Sequence, residues 1–208
     1  MPTVTVVHTS RAEPATLTAA RALCGESFCT FDAVDWDHAL GGLHAFAHDG
    51  HRLVAHGSVV QRRFLVRDPG ARHASAAMQG RPRPGARPEL AKGGEDGVLF
   101  RSLRCGYIEA VAVAADRRRR GLGTAVMAEL ERIVRAAYPF GALSASEAGA
   151  PLYAARGWQL WQGPVAVLTP QGTVPAPEER GSVFVLPGAA PLDLTGELVC
   201  DWRDGEAW

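Results

Sequence analysis

The chain has 208 residues, in which 22 Lys and Arg residues balance 22 Asp and Glu residues. This length suits one domain with a sizeable core and is too short for two large ones. Zero net charge excludes an overall field that would attract nucleic acid or anionic lipid, so neither is expected as a partner. No apolar run approaches the ~20 residues of a membrane span, and residues 1–14 lack the features of a secretion signal. We therefore expect a single cytoplasmic domain over residues 1–208.

The cysteines and histidines show neither a disulfide pattern nor a metal-binding pattern. Cys24, Cys29, Cys105 and Cys200 are scattered along the chain without paired spacing, which is typical of reduced thiols. The histidines likewise lack the spacing of metal ligands. We expect no metal.

The first elements predicted along the chain are a strand and a helix. Residues 3–7 alternate and are rich in β-branched side chains, which indicates a strand. A helix is expected to follow through Leu23 and Cys24, with Thr16 or Thr18 as its N-cap. Together they predict a strand-helix unit at the start of the domain.

An antiparallel hairpin is predicted next, and a long interruption follows it. Two apolar stretches, 43–47 and 53–66, flank the Asp49-Gly50 dipeptide, which favours a tight turn. A third apolar strand covers 107–113. The intervening residues 68–102 are rich in Pro, Gly and Arg and can bury little. We expect them to form a mobile insertion that joins two neighbouring strands.

The second half of the chain alternates helices and strands. Apolar residues recur every three or four positions over 126–137, which predicts an amphipathic helix after Thr124. A strand at 141–146 and a helix at 148–156 follow, and Gly157 suits the left-handed conformation at a helix end. Two further strands are predicted, at 165–168 and 183–186. The pattern indicates a mixed α/β architecture.

The clearest chemical signal is the junction between the strand at 107–113 and the amphipathic helix. The run Arg118-Arg119-Arg120-Gly121-Leu122-Gly123 fills this junction. The first turn of a helix presents N–H groups without intrahelical acceptors, and its dipole favours an anion there. Glycines let the backbone approach a diphosphate closely, and arginines supply charge-assisted hydrogen bonds. The alternative is that the arginines form only a solvated helix start or a nucleic-acid patch.

The glycine spacing separates this junction from the common nucleotide motifs. It lacks the third glycine of the dinucleotide-binding motif and the Gly-Lys-Ser/Thr ending of the P-loop. It resembles the acetyl-CoA motif of the GNAT acetyltransferases, Arg/Gln-x-x-Gly-x-Gly/Ala after a strand of the Val-Ala-Val kind. This resemblance implies acetyl-CoA as donor and coenzyme A as product. It implies the following cofactor-binding residues: Val111, Ala112, Val113, Arg118, Arg119, Arg120, Gly121, Leu122, Gly123 and Thr124.

A second motif downstream supports the same resemblance. Leu152-Tyr153 and Gly157-Trp158 resemble the Leu-Tyr-x-x-x-Gly-Phe/Trp ending of the GNAT core, in which the tyrosine lies beside the coenzyme A sulfur. Tyr153 is therefore a candidate general acid for the departing thiolate. The alternative is a plain core aromatic residue on a short helix.

Seven segments spread along the chain resemble one family, the aminoglycoside 2'-N-acetyltransferases. They are DWDHALGGLHA (35–45), HGSVVQRR (56–63), RCGYIEAVAV (104–113), YPFGALSAS (138–146), LYAARGW (152–158), SVFVLP (182–187) and CDWRDGEAW (200–208). The resemblance implies a GNAT acetyltransferase fold in the α/β class: a mixed, mostly antiparallel sheet with a central parallel splay, flanked by helices. It also implies a homodimer.

Glu109 is the candidate catalytic base, because it is the only charged residue in the apolar strand at 107–113. Strand alternation predicts that it shares a face with Val111, opposite Ile108 and Ala110. A sugar ammonium must lose a proton before it attacks a thioester, and the resemblance implies that this position serves the amine through water. The alternative is a strand carboxylate that points to solvent.

An aminoglycoside needs acceptors for its ammonium and hydroxyl groups, and carboxylates and aromatic faces suit them. The resemblance implies a substrate-binding set of Asp35, Glu109, Ser144, Glu206 and the C-terminal carboxylate of Trp208. Asp35 has a second interpretation as the N-cap of a helix that begins at Trp36. For Trp202 we expect core packing.

These observations together predict N-acetylation of the 2'-amino group of an aminoglycoside by direct transfer in a ternary complex, which confers resistance. Thr30 and Arg180 stand where the family resemblance implies more acidic residues, and both changes weaken a polycation site. A kasugamycin-type substrate therefore competes with a gentamicin or tobramycin type. Two other hypotheses stay open: a GNAT that acetylates another small amine, a polyamine or a protein N-terminus, and a non-catalytic acyl-CoA or nucleic-acid binding module.

Overall fold

A computed structural model describes residues 3–67, 90–92 and 99–208. Most of the predicted insertion at 68–102 lies outside these described residues. Within it, strands β4 (Leu90–Lys92) and β5 (Leu99–Val113) begin to pair with each other. The predicted C-terminal limit of the insertion is therefore wrong by a few residues, because the chain from Leu99 onward already belongs to the sheet.

The predicted N-terminal strand and hairpin are confirmed. Strands β1 (Val4–His8), β2 (Leu43–Asp49) and β3 (Arg52–Arg67) pair antiparallel in that order. Gly50 lies in the turn between β2 and β3 with φ 61°, a left-handed conformation that glycine adopts without strain. The hairpin therefore forms where the Asp49-Gly50 dipeptide predicts it.

The first two helices have caps that differ from the predicted ones. Helix α1 (Pro14–Ser27) begins at a proline, and its N-cap is Glu13 rather than Thr16 or Thr18. Proline at the first position supplies a preset φ and lacks only an N–H that would have no acceptor. Thr18 instead donates its hydroxyl to the carbonyl of Pro14, one turn earlier.

Helix α2 (Ala33–His38) starts three residues before the predicted Trp36. Asp32 is its N-cap and accepts hydrogen bonds from the backbone of Val34 and Asp35. The Asp35 carboxylate accepts the N–H of Asp32 in return, at 2.9 Å. This reciprocal capping box shows that the N-cap interpretation of Asp35 is wrong, although the side chain does stabilise the helix start.

The remaining elements follow the predicted order, with shorter strands and helices in places. The amphipathic helix is α3 (Leu122–Ala137), whose apolar face is buried as predicted. The other elements are β6 (Phe140–Ser144), α4 (Ala150–Ala154), β7 (Gln159–Leu160), β8 (Val165–Thr169), β9 (Gly172–Pro175), β10 (Val183–Pro187) and β11 (Leu198–Asp201). Strands β7, β9 and β11 are additions to the prediction.

The strands form one mixed sheet in the order β7-β10-β6-β5-β3-β11-β8-β9, and β2 and β1 extend from β3. Most neighbours are antiparallel, but β8 and β11 are parallel. Strands β5 and β6 are also parallel and pair only between Cys105–Tyr107 and Phe140–Ala142. Beyond these three residue pairs the two strands separate. The fold class is confirmed, including the predicted parallel splay.

The two longest helices, α1 and α3, pack on opposite faces of β3. The residues of β3 that contact them are neighbours, and neighbouring strand residues point to opposite faces of the sheet. A Cβ at Gly57 would lie 2.9 Å from Leu130 and 3.0 Å from Val126, both in α3. The next residue back, His56, points to the other face and lies 3.8 Å from Cys24 of α1. The central strands are therefore covered on both sides.

A β-bulge interrupts β5 beside the splay. Ser58 opposes Glu109 and His56 opposes Ala112, so Gly57 faces two residues, Ala110 and Val111. Ala110 has φ 52°, which an alanine adopts only at a cost of about 1–2 kcal/mol. The extra residue shifts the alternation of every side chain after it.

No helix among the described residues meets the length and hydropathy that a membrane crossing requires. The four cysteines are free thiols, as predicted, and Cys29 is the exposed one. Among the described residues, no group of three or more His, Cys, Asp and Glu side chains could hold a metal ion.

Candidate active site

A cleft of about 1100 Å³ opens where β5 and β6 separate. Its wall combines residues 107–113 of β5, the start of α3, the end of β6, α4, and parts of α2 and the C-terminal segment. All the sequence-predicted site residues line this cleft except Arg120, which is exposed outside it. The cleft therefore brings together residues that lie more than one hundred positions apart.

The N-terminus of α3 forms one end of the cleft. Gly121 is the N-cap with φ 78°, and no side chain in the described part of the chain caps this helix end. A Cβ at Gly121 would have nothing within 4 Å, and one at Gly123 would first meet Leu152 at 3.4 Å. The space beside Gly121 is thus open, and both glycines line the cleft, where the backbone N–H groups of the first turn are presented.

Two of the predicted arginines surround this helix end. Arg118 lines the cleft and donates from Nε to the carbonyl of Val113 at 3.2 Å. Arg119 also lines it and has φ 61°. Arg117, by contrast, is turned away into ion pairs with Asp49 and Asp116. The run of basic residues is therefore divided between a structural role and the cleft.

Glu109 faces the opposite part of the cleft, where its side chain is only 14% exposed. Its carboxylate forms an ion pair with the guanidinium of Arg203, at 2.5 Å. Burial raises the pKa of Glu109, while the charge and hydrogen bond of Arg203 act to lower it. The alternative of a solvent-facing carboxylate is wrong, since the group is buried and paired.

The bulge changes the predicted orientation of the residues around Glu109. Val111 lies 3.2 Å from the position that a Cβ on Gly57 would take, so it faces α3. Glu109 instead opposes Ser58 and contacts Arg203 on the C-terminal segment. The expectation that Glu109 and Val111 share a face is therefore wrong, because the additional residue at Ala110 shifts the alternation between them.

Tyr153 of α4 lines the cleft and is otherwise buried. Its ring makes an edge contact with Trp158 at 6.2 Å and a tilted contact with Phe184 at 6.4 Å. Burial raises the pKa of its phenol to about 12, so the group stays protonated at neutral pH. Tyr153 therefore packs in the core and also lines the cleft.

The C-terminal segment is held over the cleft by Arg62 of β3, which is 5% exposed. The guanidinium of Arg62 donates to the carboxylate and carbonyl of Asp201 and to the carbonyl of Ala207, at 2.6–2.8 Å. Trp208 is buried against Phe64, with ring centroids 5.6 Å apart. Trp202 is 51% exposed, so its predicted core position is wrong.

Polar residues from several elements complete this part of the cleft. Ser144, at the end of β6, donates to the carboxylate of Glu179 at 3.1 Å. Asp35, Glu109, Glu179 and Glu206 are the cleft-lining carboxylates of the described residues. Arg203 stands among them and also donates to the carbonyl of Glu206 at 3.0 Å. The cleft is therefore cationic at the α3 end and rich in carboxylates at the other.

Glu179 and Arg203 are site residues that sequence reasoning did not select. Glu179 is adjacent to Arg180, whose positive charge in this segment argued against a polycation site. Arg203 lies between Asp201 and Asp204, and a lone cation among carboxylates was the available signal. Neither contact follows from spacing, because the partners are at least 35 positions away along the chain.

Solved structures share this fold. An acyl-CoA N-acyltransferase from Pseudomonas aeruginosa matches with a TM-score of 0.53 and 16% identity, over 89% of this chain and 99% of that one. A GCN5-related N-acetyltransferase from Kribbella flavida matches with a TM-score of 0.50 and 17% identity, over 78% of this chain. The chain spans 34% of the length of that larger protein. These similarities establish the architecture.

Residues 22–158 match the Acetyltransferase (GNAT) family, to which the chain belongs. It is also 43% identical over 211 residues to the aminoglycoside 2'-N-acetyltransferase of Mycolicibacterium fortuitum, across 99% of this chain and 92% of that protein. Identity of this extent confirms the family recognised from the sequence and acetyl transfer as the reaction class. Enzymes of the GNAT family use acetyl-CoA.

Proposed function

We propose that the protein acetylates the 2'-amino group of an aminoglycoside with acetyl-CoA, by direct transfer in a ternary complex, and that this acetylation confers resistance. The observation that carries this proposal is the division of charge within one cleft. Arginines and a helix N-terminus lie at one end, and Asp35, Glu109, Glu179 and Glu206 line the other. A diphosphate and an ammonium group would each find the opposite charge there.

The residues at the α3 end fit the cofactor. The open space beside Gly121 would admit a diphosphate, and Gly123, Arg118 and Arg119 line the same cleft. The edge of β5 after Tyr107 is not paired by β6, so its backbone groups are available to an extended ligand. Acetyl-CoA, when bound, supplies the acetyl group as a thioester. Arg120 is left out of this set, because it does not line the cleft.

Glu109 is proposed to accept the proton of the amine, directly or through water. Its burial, its raised pKa and its place in the cleft suit a general base. Tyr153 is proposed to donate a proton to the departing thiolate, since its phenol keeps its proton at neutral pH. Holding both groups on rigid elements would contribute much of the rate through orientation.

The carboxylate end is proposed to bind the ammonium groups of the sugar. Asp35, Ser144, Glu206 and the carboxylate of Trp208 are the binding residues predicted from the sequence, and Glu179 joins them because it contacts Ser144. Thr30 also lines the cleft, which leaves one fewer negative charge than an aspartate there would give. The homodimer and the cytoplasmic location stay predictions.

An acceptor panel tests the proposed function. Thiol release from acetyl-CoA is measured with kasugamycin, tobramycin, gentamicin, spermidine and an N-terminal peptide, and the products are located by NMR. Acetylation of a 2'-amino group is expected. Turnover of spermidine or the peptide alone would replace the aminoglycoside by another amine, and no turnover of any acceptor would refute the proposal.

Tyr153→Phe is expected to lower kcat by about 10²-fold, at the lower end of the usual contribution of a general acid. The ring and its contacts with Trp158 and Phe184 are kept, so the fold and the KM for acetyl-CoA should change little. Steady-state kinetics with acetyl-CoA and the best acceptor give both constants. An unchanged kcat would leave Tyr153 with a packing role only.

Arg203→Met is expected to move the acid limb of the kcat/KM profile to higher pH. The Arg203 charge favours the ionised form of Glu109. Without it the pKa of Glu109 rises further, and the base stays protonated, hence inactive, to a higher pH. Arg62, whose charge also lowers this pKa, and Asp35, whose charge raises it, are left in place.

Arg203→Lys is the matched control for this change, because it keeps the positive charge at a similar position. Its acid limb should stay close to that of the unmodified protein, although the planar guanidinium is lost. Coincident profiles for the Met and Lys variants would mean that the charge of Arg203 does not set the ionisation of Glu109.

A further inference from the structure

The bulge at Ala110 needs a specific support, because its backbone is strained and its position is critical. Ala110 is not a glycine, yet its φ is 52°, in the left-handed region. A regular ladder between β3 and β5 would relieve this strain, and a shift of one residue would send the following side chains to the opposite face. Some interaction must therefore stabilise the extra residue where it is.

The carbonyl of Ala110 ends a buried chain of hydrogen bonds. His56 Nδ1 lies 3.0 Å from this carbonyl, and His56 Nε2 lies 2.9 Å from His44 Nδ1. His44 Nε2 in turn lies 2.8 Å from the hydroxyl of Thr9, which accepts the backbone N–H of Gly41 at 2.9 Å. Three strand segments that are distant in sequence are linked by this chain.

The direction of each hydrogen bond follows from the group at the end of the chain, the carbonyl of Ala110. A carbonyl only accepts, so His56 donates from Nδ1 to Ala110. A neutral His56 then accepts at Nε2 from His44 Nδ1–H, and His44 accepts at Nε2 from the Thr9 hydroxyl. The Thr9 hydroxyl then donates to His44 Nε2 at 2.8 Å rather than to the carbonyl of Gly42 at 3.2 Å. Both imidazoles are neutral in this arrangement, and both carry their hydrogen on Nδ1.

The surroundings keep this arrangement in place. His44 and His56 are both fully buried in the core. Burial lowers the pKa of His44 to about 4 and that of His56 to about 3, so both rings stay neutral at pH 7. Trp36 packs against both rings, with centroids 6.2 Å and 5.7 Å away. Loss of one link would leave buried polar groups without partners.

We propose that His56, oriented by His44 and Thr9, is a positioning residue that fixes the bulge at Ala110. The bulge lies next to Glu109 and turns Val111 towards α3, while Glu109 stays on the opposite face, in the cleft. His56 would thus set the position of the base without contacting the substrate. This inference rests on the proposed function for its kinetic readout, and its structural readout is independent of it.

His56→Leu tests the proposal, because leucine fills much of the space and cannot donate to Ala110. We expect kcat/KM to fall by about 10²-fold in the folded variant, since a misplacement of ~1 Å at a reacting group has an effect of this size. His56→Asn, which places an amide N–H near the Nδ1 position, should recover a large part of the activity. A crystal structure of His56→Leu should show Ala110 outside the positive-φ region.

Two control variants separate positioning from general destabilisation. Cys24→Ala removes only the weaker donor to the Ala110 carbonyl, a thiol at 3.6 Å, and leaves the His56 bond at 3.0 Å in place. Val165→Ala trims a buried residue of β8 outside the cleft. Both should keep kcat/KM within about twofold at a temperature where unfolding is negligible. A loss in His56→Leu no greater than in these variants would overturn the proposal.

The ring nitrogens provide a second, activity-free measurement. NMR of ¹⁵N-labelled protein at pH 7 should show both buried imidazoles in the Nδ1–H form. An Nε2–H form at His56, or a positive φ retained at Ala110 in the His56→Leu crystal structure, would overturn the inference whether or not any amine is acetylated. A protein that acetylates no amine yet shows the expected tautomers and the altered bulge would refute only the proposed function.

Discussion

Glu109→Gln is expected to lower kcat/KM for acetyl transfer by about 10³-fold, within the usual range for loss of a general base. Glutamine has nearly the same shape and keeps an oxygen for Arg203, but it cannot take a proton from the amine. The deficit should be largest at a pH above the pKa of Glu109, where the carboxylate is ionised. Below that pKa the two proteins converge, so the variant loses the acid limb.

The stability of the variant makes this result interpretable. Because burial raises the pKa of Glu109, the folded state holds a proton that the unfolded chain releases. The contribution to stability is complete below the ordinary pKa of 4.5 and is lost as pH rises through the higher folded pKa. An uncharged glutamine escapes this loss, so the variant should stay folded at neutral pH.

Glu129→Gln is the control for the amide substitution. Glu129 lies on α3 in an exposed ion pair with Arg132, outside the cleft. The same chemical change there should leave the pH profile unmodified. If Glu109→Gln also retained the acid limb and most of the rate, another group would have to be the base.

Glu131→Leu is expected to reduce the free energy of unfolding by about 3–5 kcal/mol, because it leaves a buried cation unpaired. The Glu131 side chain, 5% exposed, binds Arg156 through two contacts of 2.7 Å and accepts the indole N–H of Trp158 at 3.0 Å. These contacts join α3 to the segment after α4. Urea unfolding at an unchanged slope gives the difference as a shift in midpoint.

The exposed pair on the same helix again supplies the comparison. Glu129→Leu removes one member of a surface ion pair and should change stability by less than about 1 kcal/mol. Combining Glu131→Leu with Arg156→Met should recover part of the loss, since the apolar pair leaves no cation unpaired at this position and Arg135, the other partner of Glu131, is half-exposed. Equal losses in the single and double variants would mean that the ion pair is not the cause.

The elements with strong local signals are the ones that the sequence predicts well. The amphipathic period of α3, the Asp49-Gly50 turn and the β-branched start of β1 each encode their structure within a few residues. Helix α1 shows the limit of this reasoning, because Thr16 and Thr18 are good caps while Pro14 fixes the start earlier. Cap choice depends on competition between neighbouring candidates, which residue type alone does not decide.

The arrangement around Glu109 could be predicted only in part. The family resemblance identifies the residue and its cleft, and the helix-junction motif identifies the opposite end. The bulge at Ala110 contains no glycine, so the sequence of β5 gives no local signal for it. Its support comes from His56 on another strand. The pairing with Arg203 depends on how the C-terminal segment is held by Arg62, a contact across 139 positions.

The burial of the two C-terminal tryptophans also depends on tertiary contacts. Trp202 and Trp208 have the same chemistry and lie six positions apart, yet one is half-exposed and the other buried. Only the location of Phe64 beneath the chain end distinguishes them. Side-chain type predicts a preference for burial, and the tertiary contact decides which copy realises it.

Gly57 lies where α3 and the bulge of β5 meet. Because it has no side chain, α3 packs directly on the strand opposite the bulge, with Val126, Leu130 and Val111 around the same point. Helix α3 presents Gly121 at its N-terminus, and β5 carries Glu109 next to the bulge. A side chain at position 57 would push on both elements, so binding of the donor and alignment of the base would be disturbed together.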